Sequence, residues 1–184
     1  MREIIGLGIR LLLITLIAAL ALAATNSITE GPIRQAELAA ANASRIQVLA
    51  QADAFESVDW QSQANASDAG DLKEVYLATL KGEAMGYTFE LAPNGYKAAI
   101  PVTVGILLDG TITKVVIGSI SETAGLGTKI KEAPFLDQFA QLPVGQLDSD
   151  VDTISGATIS SGACVRAVQQ AVGVFEALTK GGEQ

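Results

Sequence analysis

The 184-residue chain is 49% hydrophobic and carries 20 acidic residues against 12 basic ones, with one Cys and no His. The missing histidines exclude His-ligated zinc or haem and any Ser-His or Cys-His nucleophile, because no other side chain supplies a neutral imidazole. A single Cys164 forms no internal disulfide and ligates no iron-sulfur cluster, so any redox chemistry comes from an organic cofactor or is absent.

Taken in chain order, Ile4 to Ala24 holds 17 apolar residues out of 21, interrupted by Gly6, Gly8, Arg10 and Thr15. At about 1.5 Å per residue this helix reaches roughly 30 Å, the thickness of a bilayer core. Arg10 lies near enough to one end to snorkel. Arg2 and Arg10 stand at the N-terminal end and the next basic residue is Arg34, so the positive-inside rule predicts a cytoplasmic N-terminus and an exported body. Ala21-Leu22-Ala23 is an A-x-A pattern, which keeps open a second reading as a cleaved signal peptide. Beyond residue 24 the balance is 10 basic against 19 acidic residues. Such a surface disfavours nucleic acid and anionic headgroups as partners.

Thr25 to Gly31 reads as a short polar connector, with Pro32 as the first residue of a helix running to about Phe55. Its apolar positions Ile33, Ala36, Ala40, Ala43, Ile46, Leu49 and Ala50 recur at three- and four-residue steps. Gln61 to Asp71 is polar and aperiodic and reads as a surface loop. Strands are predicted over Val75 to Leu80 and Ala84 to Leu91, joined at Lys81-Gly82, with a turn at Pro93-Asn94-Gly95. Val102, Val104, Ile106 and Leu108 alternate before Asp109-Gly110, and Ile112 to Ile120 follows. Asp-Gly between such runs predicts a hairpin with a type I′ turn. Pro134 to Leu142 predicts a short helix, and Ser160 to about Thr179 a terminal one. That last helix has two adjacent apolar stripes, Val165, Val168, Val172, Phe175 and Cys164, Ala167, Ala171, Val174, Leu178, which predict a helix packed on the sheet. Cys164 falls on a buried stripe and reads as structural.

The acidic run Asp148 to Asp152 leads into Thr153-Ile154-Ser155-Gly156-Ala157-Thr158-Ile159-Ser160-Ser161, where hydroxyls crowd the start of the terminal helix. A helix start offers unpaired amides, the hydroxyls add donors, and Gly156 lets a ligand approach the backbone, a combination suited to a phosphate. The same residues serve as N-caps in ordinary helices, so chemistry alone leaves both readings open.

Read as a motif, Asp152-x-x-Ser155-Gly156-Ala157-Thr158, with Ser160 two residues on, resembles the flavinylation site of the FMN-binding domain shared by the RnfG and NqrC subunits of membrane redox pumps. Asn94-Gly95-Tyr96, the Asp109-Gly110 hairpin and Ser121-Glu122-Thr123-Ala124-Gly125-Leu126-Gly127 resemble the family's other blocks, in the same order. Ala124 departs from the family's usual proline, and Lys97-Ala98-Ala99 from its small polar and Gly-Pro residues. The resemblance spans the chain, and the compact length favours the RnfG branch over the longer NqrC.

The resemblance implies an α+β protein: a single N-terminal transmembrane helix followed by one FMN-binding domain with a mainly antiparallel sheet packed against helices. The expected segments are 1–25 for the cytoplasmic N-terminus and anchor, 26–72 for a helical stalk and loop, and 73–184 for the FMN domain. It implies one covalent FMN per chain as a phosphoester on Thr158, with Ser155, Gly156, Ala157 and Ser160 around the phosphate. Glu122, Thr123, Leu126 and Gly127 would lie against the isoalloxazine ring, and Asp152 would be recognised by a flavin transferase. No catalytic or metal-binding residue of its own is expected. The implied role is relaying electrons in a complex that couples ferredoxin and NAD to sodium ion or proton movement, without binding ferredoxin or NAD itself. The implied partners are the other members of the complex and, during maturation, the transferase; the location is the cell membrane, single-pass, with the FMN domain on the periplasmic or extracellular side. Other readings are a stand-alone exported FMN-domain redox protein, an NqrC-like subunit, and a non-redox anchored adaptor whose Ser-Gly-Ala-Thr is only a helix cap.

Overall fold

The computed structural model describes residues 2–61, 70–147 and 151–181. It divides into two compact units, Met1–Ala40 and Ala41–Gln184.

The first unit belongs to helix α1, Arg2–Val48. It contains the only helix among the described residues that is long and apolar enough to cross a membrane, with a window of mean hydropathy 2.4 and no buried residue in it. Leu7, Ile14, Ile17 and Leu22 are all open, an apolar surface far larger than a water-soluble domain leaves uncovered. The expected connector at Thr25 to Gly31 is helical instead. Thr25 Oγ donates to Ala21 O at 2.9 Å and Thr29 Oγ to Thr25 O at 2.8 Å, so these polar side chains bond back to the helix rather than breaking it. Pro32 therefore lies inside α1.

The second unit is built on a six-stranded antiparallel meander, in the order β1 (Ala54–Ser57), β2 (Leu72–Leu80), β3 (Glu83–Leu91), β4 (Val102–Leu107), β5 (Thr111–Ile117) and β6 (Leu142–Pro143). Residues 54 and 55, expected as the end of a helix, open β1, and α1 stops at Val48. β6 was not anticipated. The expected loop at Gln61 to Asp71 falls mostly outside the described residues, as do Asp148 to Asp150 of the acidic run. Of the predicted helix at Pro134 to Leu142, one α turn forms as α2 (Ala133–Leu136), followed by a 3₁₀ turn at Asp137–Phe139. Before α2 the chain makes another 3₁₀ turn at Gly127–Lys131.

The two hairpins divide the turn types differently from the prediction. Lys81 (φ 55°) and Gly82 (φ 84°) both take positive φ between paired Leu80 and Glu83, which defines the type I′ turn. At Asp109-Gly110 only Gly110 is left-handed, φ 81°, and its N–H donates to Leu107 O at 3.0 Å. This is a type I turn closed by a glycine in a three-residue loop. The Asp109 side chain stabilises it by accepting from Thr111 N at 2.9 Å.

One face of the sheet packs on helix α3, Thr158–Gly181. Val102, Val104 and Ile106 of β4, with Val75, Phe89, Ile112 and Val115, meet Ala167, Val168, Ala171, Val174 and Phe175. Both predicted stripes of the helix face the core; Val165 is half-buried and the others are buried. Cys164 is wholly buried, and burial first, then the charge of Glu122, pushes its thiol up to about 12 despite Arg166. It stays protonated and structural.

The other face receives the last turn of α1. Val48 and Leu49 cover Ala78, with Phe55, Met85, Leu107 and Val116 around them. Arg45 donates from Nε to Glu90 Oε1 at 2.5 Å and from its terminal nitrogen to Asn42 Oδ1 at 2.7 Å, and its guanidinium lies 3.6 Å from the Tyr76 ring centroid. A bulge in β5 makes this docking possible, because the register shifts at Gly105/Ile106 and leaves Thr113 unpaired. Thr113 Oγ then donates to Val48 O at 2.5 Å, satisfying a carbonyl at the helix end, with Gly105 O at 3.1 Å. Gly105 is required below it, since a Cβ there would stand 2.9 Å from Val48 Cβ and 2.7 Å from Thr113 Oγ. Thr113→Val keeps the shape and removes the donor. Its expected cost is about 1–3 kcal/mol, read as a lower urea midpoint; an unchanged midpoint would show that the carbonyl is satisfied without Thr113.

Candidate functional site

Three segments converge at the N-terminal end of α3: the loop after β3, the turn after β5, and the segment leading into the helix. Between them lies a cleft of about 500 Å³ lined by Tyr96, Glu122, Thr123, Leu126, Gly127 and residues 156–160.

The helix start is shaped by a tight turn. Ala157 N donates to Ile154 O at 2.9 Å and Gly156 has φ 81°, the geometry of a type II turn with glycine at its third position. Ser161 holds this turn from beneath: its buried hydroxyl donates to Ala157 O at 2.9 Å and accepts from Ile154 N at 3.1 Å. Thr158 is consequently the first residue of α3 and is exposed. The amides of a helix's first turn have no intrahelical acceptor, and one turn in, the Ser161 N–H bonds back to Ala157 O at 2.9 Å.

The floor of the cleft is Glu122, only 8% exposed. Its Oε2 accepts from Ser160 Oγ at 2.5 Å and its Oε1 from Lys97 N at 3.0 Å. Burial alone would raise this carboxyl, but the Ser160 hydroxyl and the amides of Lys97, Tyr96 and Ala98 outweigh it and hold the group below its usual range. Two glycines leave room for it: a Cβ on Gly95 would lie 2.7 Å from Oε1, and one on Gly127 would lie 2.7 Å from Oε2. The 123–128 turn is closed by Leu126 N to Thr123 O at 3.2 Å and by Gly125 N to Thr128 Oγ at 2.9 Å.

Above this polar floor the walls are apolar and uncovered. Tyr96 is 66% exposed, Ile159 56% and Leu126 46%. A Cβ on Gly156 would be 3.5 Å from Leu126 Cδ2, so the leucine side chain lies over the turn. No Lys or Arg is among the described lining residues. Such a cleft suits a flat, largely apolar ring bearing one anionic group, with the anion at the helix amides and the ring against Tyr96, Leu126 and Ile159.

Of the residues expected around a ligand, Thr158, Gly156, Ala157, Ser160, Glu122, Thr123, Leu126 and Gly127 are brought together here. Ser160 is not arranged as expected, since its hydroxyl proton is directed to Glu122 rather than into the cleft. Glu122 likewise acts as a buried tie between segments. Ser155 stands exposed on the turn but does not line the cleft, and Asp152 lies apart, beside a smaller depression that it shares with Lys129, Gln138 and Ile154. Sequence reasoning missed Tyr96 and Ile159 as walls, Gly95 as the glycine accommodating Glu122, and Ser161 and Gln138 as clasps. Gly95 and Tyr96 lie in the Asn94-Gly95-Tyr96 block and Ile159 and Ser161 in the run from Thr153 to Ser161, whereas Gln138 has no local signature.

Residues 95–173 match the family described as FMN-binding domain. The chain is 33% identical to the G subunit of the Na(+)-translocating ferredoxin:NAD(+) oxidoreductase complex of Acetobacterium woodii, over 97% of this chain and 95% of that one. It is 35% identical to the G subunit of the ion-translocating oxidoreductase complex of Cereibacter sphaeroides, over 92% and 83%, and 32% identical to that of Methanosarcina acetivorans, over 93% and 94%. The chain belongs to the family of G subunits of ion-translocating oxidoreductase complexes, the RnfG branch that the motif resembles. Among solved structures, NqrC of Shewanella oneidensis is similar with a TM-score of 0.49 and 19% identity, over 67% of this chain and 73% of that one.

The Glu122 geometry gives a pH signature. A carboxyl held below its unfolded value contributes stability that is full above the usual carboxyl range and lost as pH falls through the depressed folded value. In Glu122→Gln the amide still accepts from the backbone but carries no charge to protonate. Between about pH 7 and about pH 3 the parent's urea midpoint is therefore expected to fall more steeply than the variant's; parallel curves would show that Glu122 contributes nothing to acid sensitivity.

Proposed function

We propose that this chain is an electron-transfer flavoprotein subunit of a membrane-bound ion-translocating oxidoreductase complex, carrying FMN as a phosphoester on Thr158. The observation that carries this reading is the exposed Thr158 at the first turn of α3, beside an apolar-walled cleft, in a chain aligned almost end to end with the G subunit of Acetobacterium woodii. Bound FMN supplies reversible one- and two-electron chemistry. The chain's own residues hold and shield it. The N-terminal amides and dipole of α3 offset the phosphate charge, Tyr96, Leu126 and Ile159 cover the ring, and Glu122 fixes the segments that carry these groups.

The helix Ile5–Val48 anchors the chain in the membrane. Arg2 and Arg10 lie at the N-terminal end of the apolar run, which supports a cytoplasmic N-terminus and an FMN domain on the outer face. Its partners are the other members of an Rnf-type complex, which pass electrons between ferredoxin and NAD and move sodium ions or protons, together with the flavin transferase that loads Thr158. Asp152, exposed and outside the cleft, is suited to recognition by that transferase rather than to contact with the flavin.

Intact-mass measurement on protein from its native membrane, with peptide mapping across Val151 to Arg166, tests the attachment. The expected gain is one FMN less one water on Thr158, abolished in Thr158→Ala. An unmodified Thr158 beside an active transferase would return the residue to a helix cap. Asp152→Ala is expected to lower loading while leaving the unfolding free energy within about 0.5 kcal/mol of the parent; full loading would remove Asp152 from transferase recognition.

A further inference from the structure

The acceptor segment between Asp152 and Thr158 is held at both ends by side chains from elsewhere. At its C-terminal end Ser161 clasps Ile154 N and Ala157 O. At its N-terminal end Gln138, in the 3₁₀ turn after α2, faces the main chain of Asp152: its Oε1 accepts from Asp152 N at 2.7 Å, and its Nε2 donates to Asp152 O at 3.3 Å. A second bond from Nε2, to Phe135 O at 3.4 Å, ties the amide to its own turn. Phe135 and Phe139 on either side are buried, their rings 5.5 Å apart edge to face, so the amide is mounted on the core. The main chain of Asp152 is thereby paired as it would be in a sheet, while the side chains of Asp152, Ser155 and Thr158 remain exposed.

We propose that Gln138 is a positioning residue for the modification of Thr158: it presets the acceptor segment so that the transferase meets a formed turn on the folded domain rather than a flexible peptide. This inference rests on the reading of Thr158 as acceptor. In the transfer, Thr158 Oγ forms a bond to the flavin-bearing phosphorus of a flavin adenine dinucleotide. The pyrophosphate P–O bond breaks, AMP leaves, the hydroxyl proton passes to the transferase's base, and no electrons are exchanged. Gln138 touches none of the reacting atoms. Its effect is to remove the conformational cost of ordering the segment before the transferase binds.

The test uses the full chain, purified in detergent without its flavin and incubated with a threonine-directed flavin transferase and flavin adenine dinucleotide, with rates measured against chain concentration. Gln138→Ala loses both clasping bonds, and its kcat/KM for loading is expected to fall about tenfold or more, mostly through KM. Amide exchange at Asp152 is expected to quicken in the same variant. Gln138→Glu keeps the acceptor for Asp152 N but sets an anionic oxygen against Asp152 O and Phe135 O in place of the donor, and is expected to load no faster than Gln138→Ala, again through KM with kcat little changed. Parent-like loading of Gln138→Ala despite faster exchange at Asp152 would overturn the inference and leave Thr158 as acceptor. Parent-like loading of Gln138→Glu, or a loss carried by kcat alone in either variant, would overturn it too. A parent chain that stays unlabelled beside a labelled control substrate would remove the acceptor reading and this inference with it.

Discussion

A carboxylate withdrawn from water with no cation paired to it among the described residues must find its compensation in hydrogen bonds, and Glu122 does so by drawing two other stretches of chain onto its own turn. Successive amides of Tyr96, Lys97 and Ala98 make a small anion nest on one side, and the Ser160 hydroxyl closes the other. Left bare, such a charge would cost several kcal/mol; hydrogen bonds to an ionised group contribute about 1.5–3 kcal/mol each, so four donors are enough to keep it ionised and buried. Because the donors come from the loop after β3 and the first turn of α3, the position of each depends on the others. Gly95 and Gly127 belong to the same constraint, one beside each carboxylate oxygen. The cleft is thus the space left between segments that one buried charge has gathered.

This division of labour separates frame from contact surface. Glu122, Ser160 and Ser161 are buried and spend their hydrogen bonds on one another and on the backbone. Tyr96, Leu126, Thr158 and Ile159 are exposed and face no such obligation. The frame is also joined to the far side of the sheet, since β4 contributes Val104 and Ile106 to the core under α3 and Gly105 to the seat of the last turn of α1. A single strand therefore carries both that seat and the core beneath the helix that begins at Thr158.

Local chemistry made much of this legible. Lys81-Gly82 and Asp109-Gly110 marked turns between strands, the alternation from Val102 to Leu108 marked a strand, and the double stripe of α3 marked a helix laid on the sheet. The turn and helix start at residues 152–161 could be read together because they are contiguous. What stayed hidden depends on partners distant in sequence or on bonds that composition does not show. Thr25 and Thr29 read as linker residues, yet they bond back to α1, which runs on through Pro32. Ala54 and Phe55 read as the end of a helix until β2 is available to pair with them. Ser160 reads as a phosphate donor, yet its hydroxyl donates to Glu122, 38 residues away. Gln138 gives no signal at all, because a side-chain amide clasping a main chain leaves no pattern in composition or spacing.

The same geometry is what the proposed covalent attachment would compensate. The apolar walls stand 46–66% exposed, so a ring resting on them stays partly in water and gains only part of its transfer free energy, about 25 cal/mol for each Å² actually covered. A helix N-terminus adds about 0.3–1 kcal/mol for an exposed anion, and the described lining residues supply no cationic side chain to strengthen it. These terms orient a flavin but do not retain one against dilution. An ester at Thr158 would make occupancy independent of affinity. The cleft can then remain shallow and open to a redox partner, which a deep site that held the cofactor by burial would not allow.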